Sequence, residues 1–202
     1  MTVTRLRTFM LAPVVAVSLA GCGLNSVPTA EEEVNARFAD VQADYQRRSD
    51  LIGNLVETVK AAAAQESNVL IGISTARARA TQTTLTPADL SDPAKVAAFD
   101  QAQAQVGVAV RPLMGPMIQE RYPELKSLNN FASLQDQLEG TENRIRASRG
   151  DYNTAVQAYN TRIRTFPDAI GAKVFYGAKP KVPFAASAAA QEAPKVDFGN
   201  AS

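Results

Sequence analysis

Apolar side chains recur along the first part of the chain at alternating steps of three and four residues. This spacing places them on one stripe of a helix, as in the seam of a coiled coil. Only two stripe positions, Arg48 and Glu66, are charged, and the pattern therefore predicts one long helix that ends near Ala80. Thr29, which follows a proline and precedes three glutamates, is the predicted N-cap. The stripe consists of Val34, Phe38, Val41, Tyr45, Ile52, Leu55, Val59, Ala62, Val69, Ile73, Ala76 and Ala80.

Two more helices are predicted beyond the loop TQTTLTPADLSDPAK. The second helix begins after Ser91 or Asp92 as the cap and has a proline in its first turn. Pro112 and Pro116 are expected to kink or break it, because proline removes a backbone donor and clashes with the preceding turn. The third helix is predicted from about residue 128 to residue 166.

The predicted fold class is all-α. Long amphipathic helices joined by short loops bury their stripes by packing together, which favours an up-and-down antiparallel bundle of three long helices plus a shorter fourth helical element. The bundle is expected to occupy residues 30–166. The alanine-rich residues 167–202 are expected to form an extended C-terminal tail.

The first residues have the organisation of a secretory signal. Arg5 and Arg7 precede an apolar run from about residue 9 to residue 20, which is shorter than a membrane span requires. The tetrapeptide Leu19-Ala20-Gly21-Cys22 is similar to the lipobox of bacterial lipoproteins, in which the cysteine is lipidated and becomes the new N-terminus.

The sequence therefore predicts a lipoprotein signal peptide over residues 1–21 and a tether over residues 22–29, with lipid on Cys22. Two or more acyl chains on one cysteine hold a protein stably at a membrane. The expected location is the cell envelope, on the extracytoplasmic side. The alternative is an uncleaved anchor helix, which Pro13 and the short apolar run disfavour.

Composition removes several classes of function. The chain has no histidine, and this excludes the commonest general base and transition-metal ligand. A single cysteine excludes disulfide frameworks and cysteine zinc sites within one chain. A formal net charge of +1 gives no field that would concentrate nucleic acid. We therefore expect no catalytic residue, no cofactor, no metal and no nucleic-acid partner.

Four motifs stand in this order along the chain: YQRRSDLIGNLVETVKAAAAQE, YPELKSLNNFASLQDQLEGTENRI, DYNTAVQAYNTRIRTFP and the closing PKVDFG. Together they resemble the LemA family of bacterial envelope proteins. The resemblance extends from about Asn35 to Gly199 and implies an all-helical bundle fixed to the envelope at its N-terminus, with no established enzymatic activity. Two positions depart from the family's pattern, since Gly53 replaces the usual proline and Ser49 a frequent tyrosine.

Polar residues within the first and third predicted helices form the candidate site. If these helices run parallel, Glu57 lies level with Glu139, and facing carboxylates of a bundle can hold two metal ions. The known pattern also requires histidine, so we favour a structural network that fixes helix register. Its predicted members are Arg48, Asp50, Asn54, Glu57, Glu139, Glu142 and Arg144. Gly140, within the third helix, suggests either a close helix approach or an ordinary tolerated glycine.

The preferred functional hypothesis is a membrane-tethered, non-enzymatic adaptor that presents its bundle to another envelope protein. The family resemblance implies a TPM-domain protein as one candidate partner. The alternative hypothesis is a carboxylate-based metal-binding or enzymatic bundle protein.

Overall fold

The computed structural model describes residues 25–62, 67–114 and 129–185, and these are helical apart from the connections and residues 177–185. The predicted all-helical bundle is confirmed. Its elements are α1 (Ser26–Ala62), α2 (Ser67–Gln82), a 3-10 helix (Pro87–Ser91), α3 (Pro93–Met114), α4 (Asn129–Arg162) and α5 (Asp168–Val174).

The long helix predicted over the first stripe is divided into α1 and α2. The two helices run antiparallel, since Arg77 of α2 donates from Nε to the Ser49 hydroxyl of α1 at 3.0 Å. In one continuous helix these residues would be about 42 Å apart. The sequence between them is rich in alanine and continues the helical period, so the pattern alone gave no stop signal there.

The extra reversal changes the direction of every later helix. α1 and α4 are antiparallel, because Arg162 Nη1 donates to the Ser26 carbonyl at 3.1 Å while Arg48 meets Glu142. Their contact is the most extensive among the described helix pairs, and α2 packs on α3. The result is an up-down-up-down bundle of α1, α2, α3 and α4.

The helix starts differ in how well the sequence predicted them. α1 begins at Ser26, three residues before the expected cap, and the Thr29 hydroxyl donates backwards to the Asn25 carbonyl at 2.7 Å. At the start of α3, by contrast, Asp92 acts as expected, since its Oδ1 accepts from the backbone N–H of Ala94 at 2.9 Å. α3 continues through Pro112 to Met114, and Pro116 lies outside the described residues.

The core is divided into two clusters along the bundle axis. The predicted stripe supplies both, with side chains such as Val34 and Leu55 fully buried. The cluster nearer the start of α1 is aromatic, and Phe99 contacts Phe38 and Tyr45 edge to face. The cluster at the opposite end is aliphatic apart from Phe131.

The predicted extended tail begins with a helix. α5 packs on the start of α1, and Gly177 then reverses the chain with a positive φ of 54° that a glycine adopts without strain. Residues 177–185, here called the strap, run back along the bundle in extended conformation. Within the described residues, none of the helices is both long and apolar enough to span a membrane.

Candidate functional site

Arg48 joins three helices at the middle of the bundle. It is only 4% exposed, and its Nη2 donates to the side-chain oxygen of Gln103 at 2.6 Å and to the Gln103 carbonyl at 3.0 Å. Its Nη1 lies 3.3 Å from Glu142 of α4. The guanidinium also stacks over the Tyr45 ring, 4.9 Å from the ring centre. These contacts join α1 to α3 and α4.

A second arginine, Arg149, connects the bundle to the strap. Its Nη1 donates to Asp100 at 2.5 Å and to the Tyr45 hydroxyl at 3.1 Å, and its Nη2 donates to the Ala185 carbonyl at 2.8 Å. Burial lowers the pKa of Arg149, but the hydrogen bonds and charges of Asp100 and Tyr45 together outweigh burial, and the pKa is raised. The guanidinium therefore stays charged between α1, α3 and the strap.

The other predicted residues of α1 do not join this network. Asp50 is exposed and accepts a hydrogen bond from Gln46 on its own helix at 2.9 Å. Asn54 and Glu57 are exposed as well. They occupy the outer surface of α1, where water solvates them.

On α4, the structure brings only Glu142 to Arg48. Glu139 and Arg144 are exposed. The expected alignment of Glu57 with Glu139 does not hold, because α1 and α4 are antiparallel. Within the described residues, no three acidic or cysteine side chains come close enough to hold a metal ion.

Gly140 makes no close helix approach. A Cβ built on it would have no atom within 4 Å, and the residue lies on the exposed face of α4. Gly53, by contrast, has a close neighbour, since a Cβ there would lie 3.1 Å from Arg77 Nη1. Both positions that depart from the family pattern, Gly53 and Ser49, thus contact the same guanidinium.

A cavity of about 260 Å³ lies beside this guanidinium, between α1, α2 and α3. Arg48 and Arg77 line it together with hydroxyl, amide and apolar side chains, and none of its lining residues is a carboxylate. The cavity is large enough to hold water that hydrates the two arginines.

Two asparagines that sequence analysis did not single out hold the strap on α4. Asn160 accepts from the Lys181 N–H and donates to the Lys181 carbonyl, both at 2.8 Å. Asn153 makes the same pair of bonds with Phe184. The signal was present, because two asparagines seven residues apart share one helix face, but their partner segment carries no pattern that identifies it.

Lys181 completes the attachment from the strap side. It is 7% exposed, and its ammonium group lies 2.9 Å from Glu31 of α1 and 3.3 Å from the Pro87 carbonyl. One side chain therefore ties the strap to α1 and to the 3-10 helix.

A largely apolar groove opens between α1 and α2, near the end of α1 that is remote from Ser26. Its volume is about 800 Å³. Val56 and Leu70 line its floor, Ile71 is 60% exposed along it, and Glu57 and Lys60 supply charges at its edge. A groove of this composition can accept the apolar face of a helix.

Comparisons with known proteins agree with the sequence motifs. The model of the LemA family matches residues 37–198. Two curated relatives, magnetosome proteins MamQ 1 and MamQ 2 of Paramagnetospirillum magneticum, are each 26% identical over 163 residues. The alignments cover 71% of this chain and 58% of each relative, so the chain spans somewhat more than half the length of these relatives. Neither the family description nor the relatives' names specify an enzymatic activity.

Proposed function

Because this chain belongs to the LemA family, as the match over residues 37–198 shows, we propose that it is a membrane-tethered, non-enzymatic adaptor of the bacterial cell envelope. Family membership and the two magnetosome relatives support a membrane-associated helical protein. The tether is lipid on Cys22, which lies outside the described residues.

The groove between α1 and α2 is the observation that carries the adaptor role. Val56 lies about 45 Å along α1 from Ser26, at 1.5 Å per residue. A lipid attached just before α1 holds the start of that helix at the membrane and presents the groove well above it. This geometry suits a scaffold that receives a partner away from the bilayer.

The partner's chemistry follows from the groove lining. Val56, Leu70 and Ile71 favour an amphipathic helix with apolar residues at steps of three and four, and Glu57 and Lys60 favour complementary charges at its margins. We propose another envelope protein as the partner, with a TPM-domain protein as the first candidate.

Site-specific photo-crosslinking in native membranes tests this proposal. A photoreactive residue at Ile71 should capture one dominant protein, whereas the same residue at Val108, which is 63% exposed on α3 outside the groove, should not. The Cys22→Ser variant of the Ile71 probe should lose the adduct because it is no longer held at the membrane. Equal labelling from Ile71 and Val108 would exclude the groove as the docking site.

A further inference from the structure

Large apolar side chains are exposed around α5 to a degree that is unusual for this molecule. Most of the exposed large hydrophobic side chains in the described chain fall within an eleven-residue stretch, and Phe166, at 82%, is the most exposed of them. A group of large exposed apolar side chains within one short stretch can mark a contact with a protein or a membrane. We call these residues the terminal patch: Phe166, Ile170, Val174, Phe175 and Tyr176.

The terminal patch lies at the end of the bundle where α1 begins. α5 packs on α1, and Arg162, just before the patch, donates to the Ser26 carbonyl at 3.1 Å. Cys22 precedes Ser26 by four residues, which span at most about 14 Å when fully extended. Lipid on that cysteine would therefore hold the patch close to the membrane surface.

The charges within this stretch of the chain suit an anionic membrane. Arg164, Lys173 and Lys179 are exposed along this stretch. The acidic residue Asp168 lies 3.8 Å from Arg162, which compensates its charge. Phe and Tyr side chains with neighbouring lysines and arginines are typical of surfaces that lie in the interface of a bilayer containing anionic lipids.

We propose that the terminal patch is a membrane-contacting surface, which inserts Phe166, Val174 and Phe175 into the interface of an anionic bilayer. The position of the patch relies on the proposed tether, but its contact with lipid is a separate property. Lipid on one cysteine leaves the bundle free to tilt, whereas two contacts at the same end fix its orientation. The groove between α1 and α2 then faces away from the bilayer.

The absence of tryptophan from the sequence provides a clean test. Phe175→Trp and Val108→Trp each introduce a single tryptophan at positions of similar exposure, 67% and 63%. Val108 lies beyond Gln103 on α3. Gln103 bonds Arg48, which is about 33 Å along α1 from Ser26, so Val108 lies far from the patch. The full chain is reconstituted into vesicles of phosphatidylcholine and phosphatidylglycerol with brominated acyl chains.

We expect the emission of Phe175→Trp to shift to shorter wavelength and to fall by about half, as for an interfacial side chain, while Val108→Trp stays unquenched. Equal quenching of the two probes would overturn the proposal. So would a concentration-dependent blue shift of Phe175→Trp without vesicles, which would identify a second copy of the chain as the occupant. Phe166→Trp provides an independent probe if Phe175→Trp fails to fold.

Two further measurements distinguish this surface from the tether. Flotation of the vesicles reports whether the protein is anchored at all. Protein that floats with Phe175→Trp unquenched retains the tether and lacks the surface contact. Protein that is quenched when mixed with vesicles but dissociates during flotation has the surface contact and lacks the tether. Lys173→Glu combined with Lys179→Glu should reduce the quenching of Phe175→Trp on anionic vesicles.

Discussion

Asn153 binds the backbone of Phe184 with both ends of its amide, accepting from the N–H at 2.8 Å and donating to the carbonyl at 3.0 Å. This pairing satisfies a backbone segment that has no sheet or helix of its own. Asn160 does the same for Lys181, so the strap is attached to α4 at two points one heptad apart.

Loss of one of these amides should detach the strap locally. We expect Asn160→Ala to lower the free energy of unfolding by about 1–3 kcal/mol, because the Lys181 N–H and carbonyl lose their partners. Urea unfolding measures this change, and faster hydrogen exchange at the Lys181 amide locates it. Asn54→Ala on the exposed face of α1 is the matched control and should be neutral or slightly stabilising. Equal effects of the two substitutions would contradict the role of Asn160.

Arg48 should be far more important for stability than the adjacent Arg47. Arg48→Ala leaves the Gln103 oxygens without their charged donor and opens space in the core, and we expect a loss of about 2–4 kcal/mol. Glu142 adds little to this cost, because its side chain is 42% exposed and can be solvated. Arg47→Ala, on the exposed face of the same helix, should change stability by less than about 0.5 kcal/mol. Chemical denaturation measures the free energy of unfolding of both variants, and equal losses would contradict the role of Arg48.

The two helical glycines described above should respond in opposite ways to alanine. Gly140→Ala should stabilise the protein by about 0.5–1 kcal/mol, because the new methyl group meets open space and the unfolded chain loses freedom. Gly53→Ala should stabilise the protein less than Gly140→Ala does, or destabilise it, since its methyl group would press on the Arg77 guanidinium. Thermal unfolding of both variants measures the difference. A larger gain at Gly53 than at Gly140 would contradict the packing of Arg77.

Buried tyrosines should make the protein sensitive to alkali. Burial raises the pKa of Tyr45 and of Tyr152, and burial together with Glu31 raises the pKa of Tyr159 to about 12. Since unfolded tyrosines ionise near pH 10, the stabilisation from keeping them neutral is complete below about pH 10. It is lost progressively as the pH rises from there through the folded-state pKa values.

Tyrosinate absorbance during a pH titration measures this effect. The tyrosines of the native protein should ionise at higher pH than those of the same chain in urea. Tyr152→Phe should remove one of the tyrosines that ionise at higher pH. Coincident titration curves in the folded and unfolded states would contradict the burial of these hydroxyl groups.

The sequence predicted the residues of the core better than the connections between helices. Val34, Phe38 and Leu55 are buried as predicted. A spacing of three and four residues identifies the apolar face of a helix whichever helix packs against it. The reversal of direction between α1 and α2 escaped prediction, because the alanines in the sequence between them favour helix and continue its period. Because this reversal was missed, the helices that carry Glu57 and Glu139 were predicted to be parallel and the two residues to lie level. In the structure these helices are antiparallel.

The candidate site was predictable only in part. Arg48 stood out as a charge within an apolar stripe, and its partner Glu142 was among the residues named with it. Asn153 was not predicted, because its partner in the strap comes from a segment without periodicity, and the same holds for the bond of Arg149 to Ala185. Contacts between a patterned helix and an unpatterned segment depend on tertiary structure that spacing does not encode.

The pairing of the first long helix with the last determines when the bundle can fold. α1 emerges first during synthesis, yet its main partner, α4, follows some seventy residues later, whereas α2 and α3 are neighbours along the chain. Contacts between distant segments form late because a large loop must close first. We therefore expect the α2 and α3 hairpin to form early and α1 to keep its apolar stripe uncovered until translation is nearly complete. A chain of this topology depends on whatever shields that stripe in the meantime.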